Sequence, residues 1–212
     1  MADLGKLSVA LQEGDMNEVK RLTTEALEAG LPPNRILSEG LIAGMDVVGV
    51  KFKRNEMYIP EVLIAARAMH AGLSILEPKL AETGAKPVGK VVLGTVKGDL
   101  HDIGKNLVGM MLRGAGFKVI DLGIDVPAEK FVEGAREEEV QILAMSALLS
   151  TTMPRLRENI AALHQAGLTG KVKVMVGGAP VTKQYADEIG ADGYGADAAA
   201  AVDVARRFLG IS

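Results

Sequence analysis

Lys90-Val91-Val92-Leu93-Gly94-Thr95-Val96 runs, after a single lysine, into Gly98-Asp99-Leu100-His101-Asp102-Ile103-Gly104, and that junction decides the fold. The first run is apolar at consecutive rather than alternate positions, which marks a strand covered on both faces. Similar runs recur at 117–122, 140–146 and 172–176. Helical stretches separate them, beginning near Ile103, Pro127, Pro154 and Pro180, and a last helix is expected from about Ala198 to Leu209. Strand–loop–helix units repeated in this order predict an α/β fold with a doubly wound parallel sheet over residues 87–212.

Before residue 85 the grammar is purely helical. Leu4 to Leu11 is a short amphipathic stretch, and Asp15 is the expected N-cap of a second helix that Gly30 stops. Pro32-Pro33 opens a third helix, on which Leu37, Leu41, Met45 and Val48 fall on one stripe. Pro60 begins a fourth, running to about Leu80. Four helices with short loops predict an N-terminal bundle over residues 1–86. The Gly- and Pro-containing stretch 82–89 reads as the linker.

Composition excludes several classes. The 212 residues contain no Cys, so disulfide frameworks, cysteine-held iron–sulfur clusters and thiolate metal sites are ruled out together. A net charge of -3 gives no reason to expect nucleic acid or an anionic membrane as partner. The acidic start Met1-Ala2-Asp3-Leu4 does not read as a signal peptide, and no uninterrupted apolar run reaches the ~18 residues of a membrane span. A cytoplasmic protein is expected.

In a doubly wound sheet, ligands bind beyond the carboxyl ends of the strands. Three clusters fall there: Gly98 to Gly104, Ser146 to Thr152, and Gly177-Gly178-Ala179-Pro180. His101 lies between Asp99 and Asp102, and a metal-ligating imidazole usually passes its other N–H to a carboxylate. Gly98 and Gly104 allow a bulky ligand close to the backbone. One loop histidine cannot build a protein-only metal cage, and His70 and His164 are expected on helices without a supporting motif. A metal already held in a macrocycle needs only one axial ligand, which points to a tetrapyrrole or corrin. Lys105 and Asn106, at the start of a helix, suit either an anionic group or a solvent-exposed cap.

Asp99-x-His101-x-x-Gly104, then Ser146-x-Leu148, then Gly177-Gly178 is similar to the three-part signature of the cobalamin-binding domain family, a flavodoxin-like fold. The resemblance implies that His101 replaces the cofactor's own base as axial ligand to cobalt. It also implies that Asp99, through a hydroxyl matching Thr152, tunes the proton on His101. Ser146, Leu148 and Ser150 would line a slot for the nucleotide tail, and Gly177 and Gly178 would leave room for it.

Glu39-Gly40, Gly44-Met45, Val47-Val48-Gly49, Phe52 and Tyr58-Ile59-Pro60 resemble the helical cap of methionine synthase and of small corrinoid proteins. Periodicity alone assigns Phe52 and Ile59 to a bundle core; the resemblance implies that they shield the corrin and that Glu39 reaches its edge. The whole chain then resembles the free-standing corrinoid protein of a methyltransferase system, active only with partners. Cob(I)alamin would accept a methyl group from a substrate:corrinoid methyltransferase, and methylcob(III)alamin would donate it to tetrahydrofolate or coenzyme M on a second methyltransferase. A reductive activase is implied as well. The alternatives are the cobalamin subunit of an adenosylcobalamin-dependent mutase and a cobalamin sensor. The helical cap argues against the first, the absence of a DNA-binding segment against the second.

Overall fold

The computed structural model describes residues 3–83 and 86–211. Met1, Ala2 and Ser212 lie outside them, as do Gly84 and Ala85 of the expected linker. The chain divides into two compact units, Met1–Lys86 with Gly114–Gly116, and Pro87–Arg113 with Phe117–Ser212.

The first unit is helical. Asp3 caps α1 (Leu4–Glu13) by accepting from the Lys6 N–H, and Asp15 caps α2 (Met16–Glu28) by accepting from the Glu18 N–H. Gly14, at φ 73°, supplies the left-handed stop between them. The third helix departs from the expected regular α-helix. A short α3 (Pro33–Arg35) passes into a π-helical stretch, Ile36–Ile42, and then into α4 (Ala43–Lys53). One extra residue per π turn moves the buried stripe, so that Ile36 rather than Leu37 goes to the core beside Leu41, Met45 and Val48.

The last helix of this unit, α5 (Ile59–Glu82), has Pro60 in its first turn, and Glu61 accepts a hydrogen bond from the Tyr58 N–H at 2.7 Å. It is long and apolar enough to cross a membrane. Val62, Ala65, Ala68, Met69 and Leu76 on it are buried, as bundle core. A Cβ on Gly72 would stand 2.9 Å from a Leu41 methyl, so glycine sets the spacing of α5 from the π-helical stretch.

The second unit is a parallel sheet in the order β2-β1-β3-β4-β5. Its strands are β1 (Lys90–Thr95), β2 (Lys118–Asp121), β3 (Val140–Ser146), β4 (Lys173–Gly177) and β5 (Gly193–Gly195). Helices α6 (Ile103–Gly114), α7 (Ala128–Ala135), α8 (Pro154–Gln165), α9 (Lys183–Glu188) and α10 (Ala198–Phe208) alternate with them. The helix expected from Pro180 begins at Lys183, because Pro180 lies in a turn and Thr182 is the cap, accepting from the Tyr185 N–H.

The sequence reading missed β5. Its Gly-Tyr-Gly has no apolar run because α10 packs directly on it: a Cβ on Gly193 would stand 2.6 Å from a Val204 methyl. Buried Val92, Phe131, Ile142, Leu143, Leu156 and Val176 fill the core.

The order 2-1-3-4-5 reverses between β1 and β3. At such a switch point the loops leaving neighbouring strands diverge and open a crevice. Here those loops are 96–102 and 147–153.

Candidate functional site

Register aligns the strand ends. Thr95 pairs with Ser146, Ser146 with Gly177, and Gly177 with Gly195, so the three sequence clusters leave the sheet from one row. Backbone hydrogen bonds continue the row past the strands, from the Val96 N–H to the Ser146 carbonyl and from the Ala147 N–H to the Gly177 carbonyl.

Asp99 joins the first loop to the third. It is fully buried. Its Oδ1 accepts from the His101 backbone N–H at 3.1 Å and lies 2.7 Å from His101 Nδ1. Its Oδ2 accepts from the N–H groups of Leu148 (2.7 Å) and Leu149 (3.3 Å) and lies 2.7 Å from Thr152 Oγ1. Burial disfavours the charge on Asp99. The hydrogen bonds from Thr152, Leu148 and His101 outweigh it and hold the carboxyl well below the usual carboxylate range.

A carboxylate only accepts, so the 2.7 Å contact places a proton on Nδ1 of His101 and leaves Nε2 with a lone pair. Nε2 has no protein partner among the described residues, and the His101 side chain is 49% exposed. Thr95, buried at the end of β1, donates from its hydroxyl to the His101 carbonyl at 2.9 Å. Asp102 faces elsewhere: it accepts from Asn106 in the first turns of α6.

Leu100, Ile103, Ile124, Leu148 and Leu149 are all exposed, on the loops after β1, β2 and β3. Exposed apolar side chains on the same strand-end loops as an exposed imidazole fit a broad, largely apolar ligand. Among the described residues no group of three or more His, Cys, Asp or Glu could hold a metal ion. A single axial ligand to a metal already in a macrocycle is what this donor set fits.

The remaining residues read from sequence are placed as follows. Ser146 is half-buried and Ser150 exposed. Gly98 has φ 82° and needs glycine for its backbone, whereas a Cβ on Gly104 would meet nothing within 4 Å. Gly178 has φ 122°, and a Cβ there would stand 1.9 Å from the Ala147 carbonyl oxygen; on Gly177 it would stand 2.9 Å from that of Gly195. These two glycines are therefore required by the packing of the strand ends themselves. In the helical unit, Glu39 lies on the π-helical stretch and is held by Arg35 at 2.9 Å, Phe52 is half-buried and Ile59 exposed. His70 and His164 lie on α5 and α8, outside the three clusters in sequence.

Sequence reasoning missed Asp125 and Asp121, and read Lys105 as an anion binder or a solvent-exposed cap although it is buried. Asp125 accepts from the Gly98 N–H at 2.7 Å and pairs with Lys97. Lys105 is buried and forms an ion pair with Asp121, while also reaching Asn106 at 2.8 Å. A buried lysine at a helix start was the available signal for the second pair; nothing local marked the first.

Comparison with known proteins identifies the family. A model of the B12 binding domain family matches residues 89–203, and a second B12 binding domain model matches residues 4–77. A corrinoid protein of Desulfitobacterium hafniense is 45% identical over 213 residues, covering 99% of this chain and 99% of that protein. Trimethylamine corrinoid protein 1 of Methanosarcina mazei is 45% identical over 197 residues, covering 92% and 91%. A chain of the crystal structure of the methanol:cobalamin methyltransferase complex from Methanosarcina barkeri superposes with a TM-score of 0.86 at 32% identity, covering 97% of this chain and 79% of that one.

Proposed function

The chain belongs to the B12 binding domain family and is a corrinoid protein, and on that premise we propose that it carries methyl groups between methyltransferases with His101 as the axial ligand to cobalt. The observation that carries the ligand is the buried Asp99 carboxylate on Nδ1, which leaves Nε2 as a lone-pair donor inside an apolar rim. The bound corrinoid supplies the cobalt centre that takes up and gives up the methyl group.

The chain's own residues orient the ligand and hold its proton. Asp99 fixes the ring plane and tautomer of His101. Thr152 Oγ1 lies 2.7 Å from Asp99 Oδ2 and 2.9 Å from the Leu149 carbonyl oxygen, yet it has one proton to give. With Asp99 charged, Thr152 donates to Oδ2. With a proton on Oδ2, the hydroxyl turns to the Leu149 carbonyl and accepts instead. Because Oδ2 also accepts from the Leu148 and Leu149 N–H groups, the network favours the charged Asp99, which keeps His101 in the tautomer that presents Nε2. Leu100, Ile103, Leu148 and Leu149 keep water from the bound face.

The reading extends to Gly98, Gly104, Asp102, Ser146, Ser150, Gly177 and Gly178 as the frame of the cofactor site. It also takes in Glu39, Phe52 and Ile59 as further cofactor contacts, supported by the family match at residues 4–77. Residues 1–86 would be the cap domain and 87–212 the corrinoid-binding domain. Relatives named for trimethylamine and dimethylamine support a methylated amine as the donor class. Tetrahydrofolate or coenzyme M is the acceptor class, a reductive activase is the third partner, and the setting is the cytoplasm.

The test is to load the protein with hydroxocobalamin, reduce it strongly, and add trimethylamine with a trimethylamine:corrinoid methyltransferase. The methylcobalamin spectrum should grow in. If the protein binds only adenosylcobalamin, or no corrinoid, the carrier reading is wrong.

A further inference from the structure

The loop that carries Asp99 and His101 is fastened at both ends by the last residue of β2 and the segment that follows it. At its start, Asp125 makes three contacts with consecutive residues. Its Oδ1 accepts from the Gly98 N–H at 2.7 Å, its Oδ2 pairs with the Lys97 ammonium at 3.0 Å, and its own N–H donates to the Asp99 carbonyl at 3.0 Å. Past its end, buried Lys105 is paired with Asp121, whose other oxygen accepts from the Gly123 N–H at 2.9 Å. The Val96–Val126 bridge runs parallel beside them.

The Asp125 contact is made between two residues in the left-handed region, Gly98 at φ 82° and Asp125 at φ 53°. A non-glycine residue there carries a steric cost. It is retained where the surrounding structure over-determines it. Asp and Asn tolerate this region better than other side chains. The Asp125 carboxylate also meets a backbone N–H that the turn leaves without a strand partner.

From this arrangement we propose that Asp125 is a positioning residue for the axial ligand: it sets the path of residues 97–99 and, through Asp99, the place of the His101 ring. The chain of contacts is short. Asp125 holds Gly98 and the Asp99 carbonyl; the Asp99 carboxylate holds His101 Nδ1. Asp125 does not touch the cofactor. The inference rests on the reading of His101 as the cobalt ligand.

The side chain and the backbone roles separate by substitution. Asp125→Asn keeps an acceptor for the Gly98 N–H and a residue at ease in the left-handed region. Asp125→Gly relieves the backbone but removes the acceptor. Each apoprotein, with the wild type and His101→Ala, is melted and then titrated with hydroxocobalamin. Each protein carries ¹⁵N-histidine; the complex is reduced to Co(II), and the ¹⁵N splitting in its electron paramagnetic resonance spectrum, distinct from the ¹⁴N splitting of the cofactor's own base, reports the share of cobalt held by histidine.

Asp125→Asn should match the wild type in both readouts. Asp125→Gly should melt as the wild type does, bind about tenfold more weakly, and lose much of the histidine-bound share. Unchanged binding and splitting in Asp125→Gly overturn the inference, and so does equal loss in both variants, which would assign the effect to the Lys97 charge pair. A wild type whose splitting matches that of His101→Ala overturns the ligand reading instead, whatever the Asp125 variants do.

Discussion

Asp99 and His101, two residues apart, are joined twice: the carboxylate Oδ1 accepts from the His101 backbone N–H at 3.1 Å and lies 2.7 Å from its ring Nδ1. The backbone bond makes a tight turn and the ring bond fixes the side chain, so one carboxylate oxygen sets both position and tautomer. The other oxygen is committed to the loop after β3. The site is thus held by a buried anion rather than by packing alone, and its behaviour follows from that.

Replacing Asp99 by Ala leaves the Leu148 and Leu149 N–H groups and the Thr152 hydroxyl without their acceptor. Unsatisfied buried donors cost about 1–3 kcal/mol each, so a loss of about 3 kcal/mol is expected in urea unfolding of the apoprotein. Loss of under about 0.5 kcal/mol would mean that the network contributes little to the fold.

The Asp99 carboxyl titrates below its unfolded value, so its stabilisation is complete above the ordinary aspartate pKa of about 3.9 and is lost as pH falls through the lower folded pKa. The gap in melting temperature between wild type and Asp99→Asn should be constant from pH 7 to about pH 5 and close at more acid pH. A gap that already closes between pH 7 and about pH 5 contradicts the charged state assigned to Asp99.

Thr152→Ser keeps the donor and should match the wild type in stability. Thr152→Val removes the hydroxyl at nearly constant volume and should cost about 1–2 kcal/mol, through the lost bond to a charged acceptor. Urea midpoints of the two apoproteins check this, and equal midpoints would exclude the hydroxyl as a partner of Asp99.

Two glycines should part company. Gly178→Ala forces a Cβ to within 1.9 Å of the Ala147 carbonyl at φ 122° and is expected to cost more than about 3 kcal/mol or abolish folding. Gly104→Ala, in the open first turn of α6, should leave the apoprotein as stable as wild type or more so. Any weakening of cobalamin affinity in Gly104→Ala then reports ligand contact, measured by titration of the visible spectrum beside a thermal melt.

β1, β3 and β4 were legible in the sequence because their faces are covered, which makes their apolar residues consecutive, whereas β2 lies at the sheet edge with no buried residue. β5 was not legible, because Gly193 and Gly195 are there for the close approach of α10 and leave no apolar signal. The π-helical stretch was illegible for a related reason: a 3.6-residue stripe through Leu37 and an offset one through Ile36 look alike in an apolar helix. At the site, the three clusters were visible because functional loops at strand ends carry unusual residues. The family resemblance, not the spacing, singled out Asp99 over the nearer Asp102; in the structure Asp99 lies on His101 Nδ1 and on the loop after β3, while Asp102 accepts from Asn106. Asp125 and Asp121 look like ordinary surface acids until the sheet places them beside residues 97–105.

The most direct test of the central claim labels the protein with ¹⁵N-histidine, loads it with hydroxocobalamin and reduces it to Co(II). Electron paramagnetic resonance then reads which nitrogen is axial. Coordination by His101 requires the splitting pattern to change from that of ¹⁴N to that of ¹⁵N on labelling, and the labelled signal to vanish in His101→Ala. A ¹⁴N pattern that persists in the labelled protein would leave the cofactor's own base on cobalt and contradict the assignment.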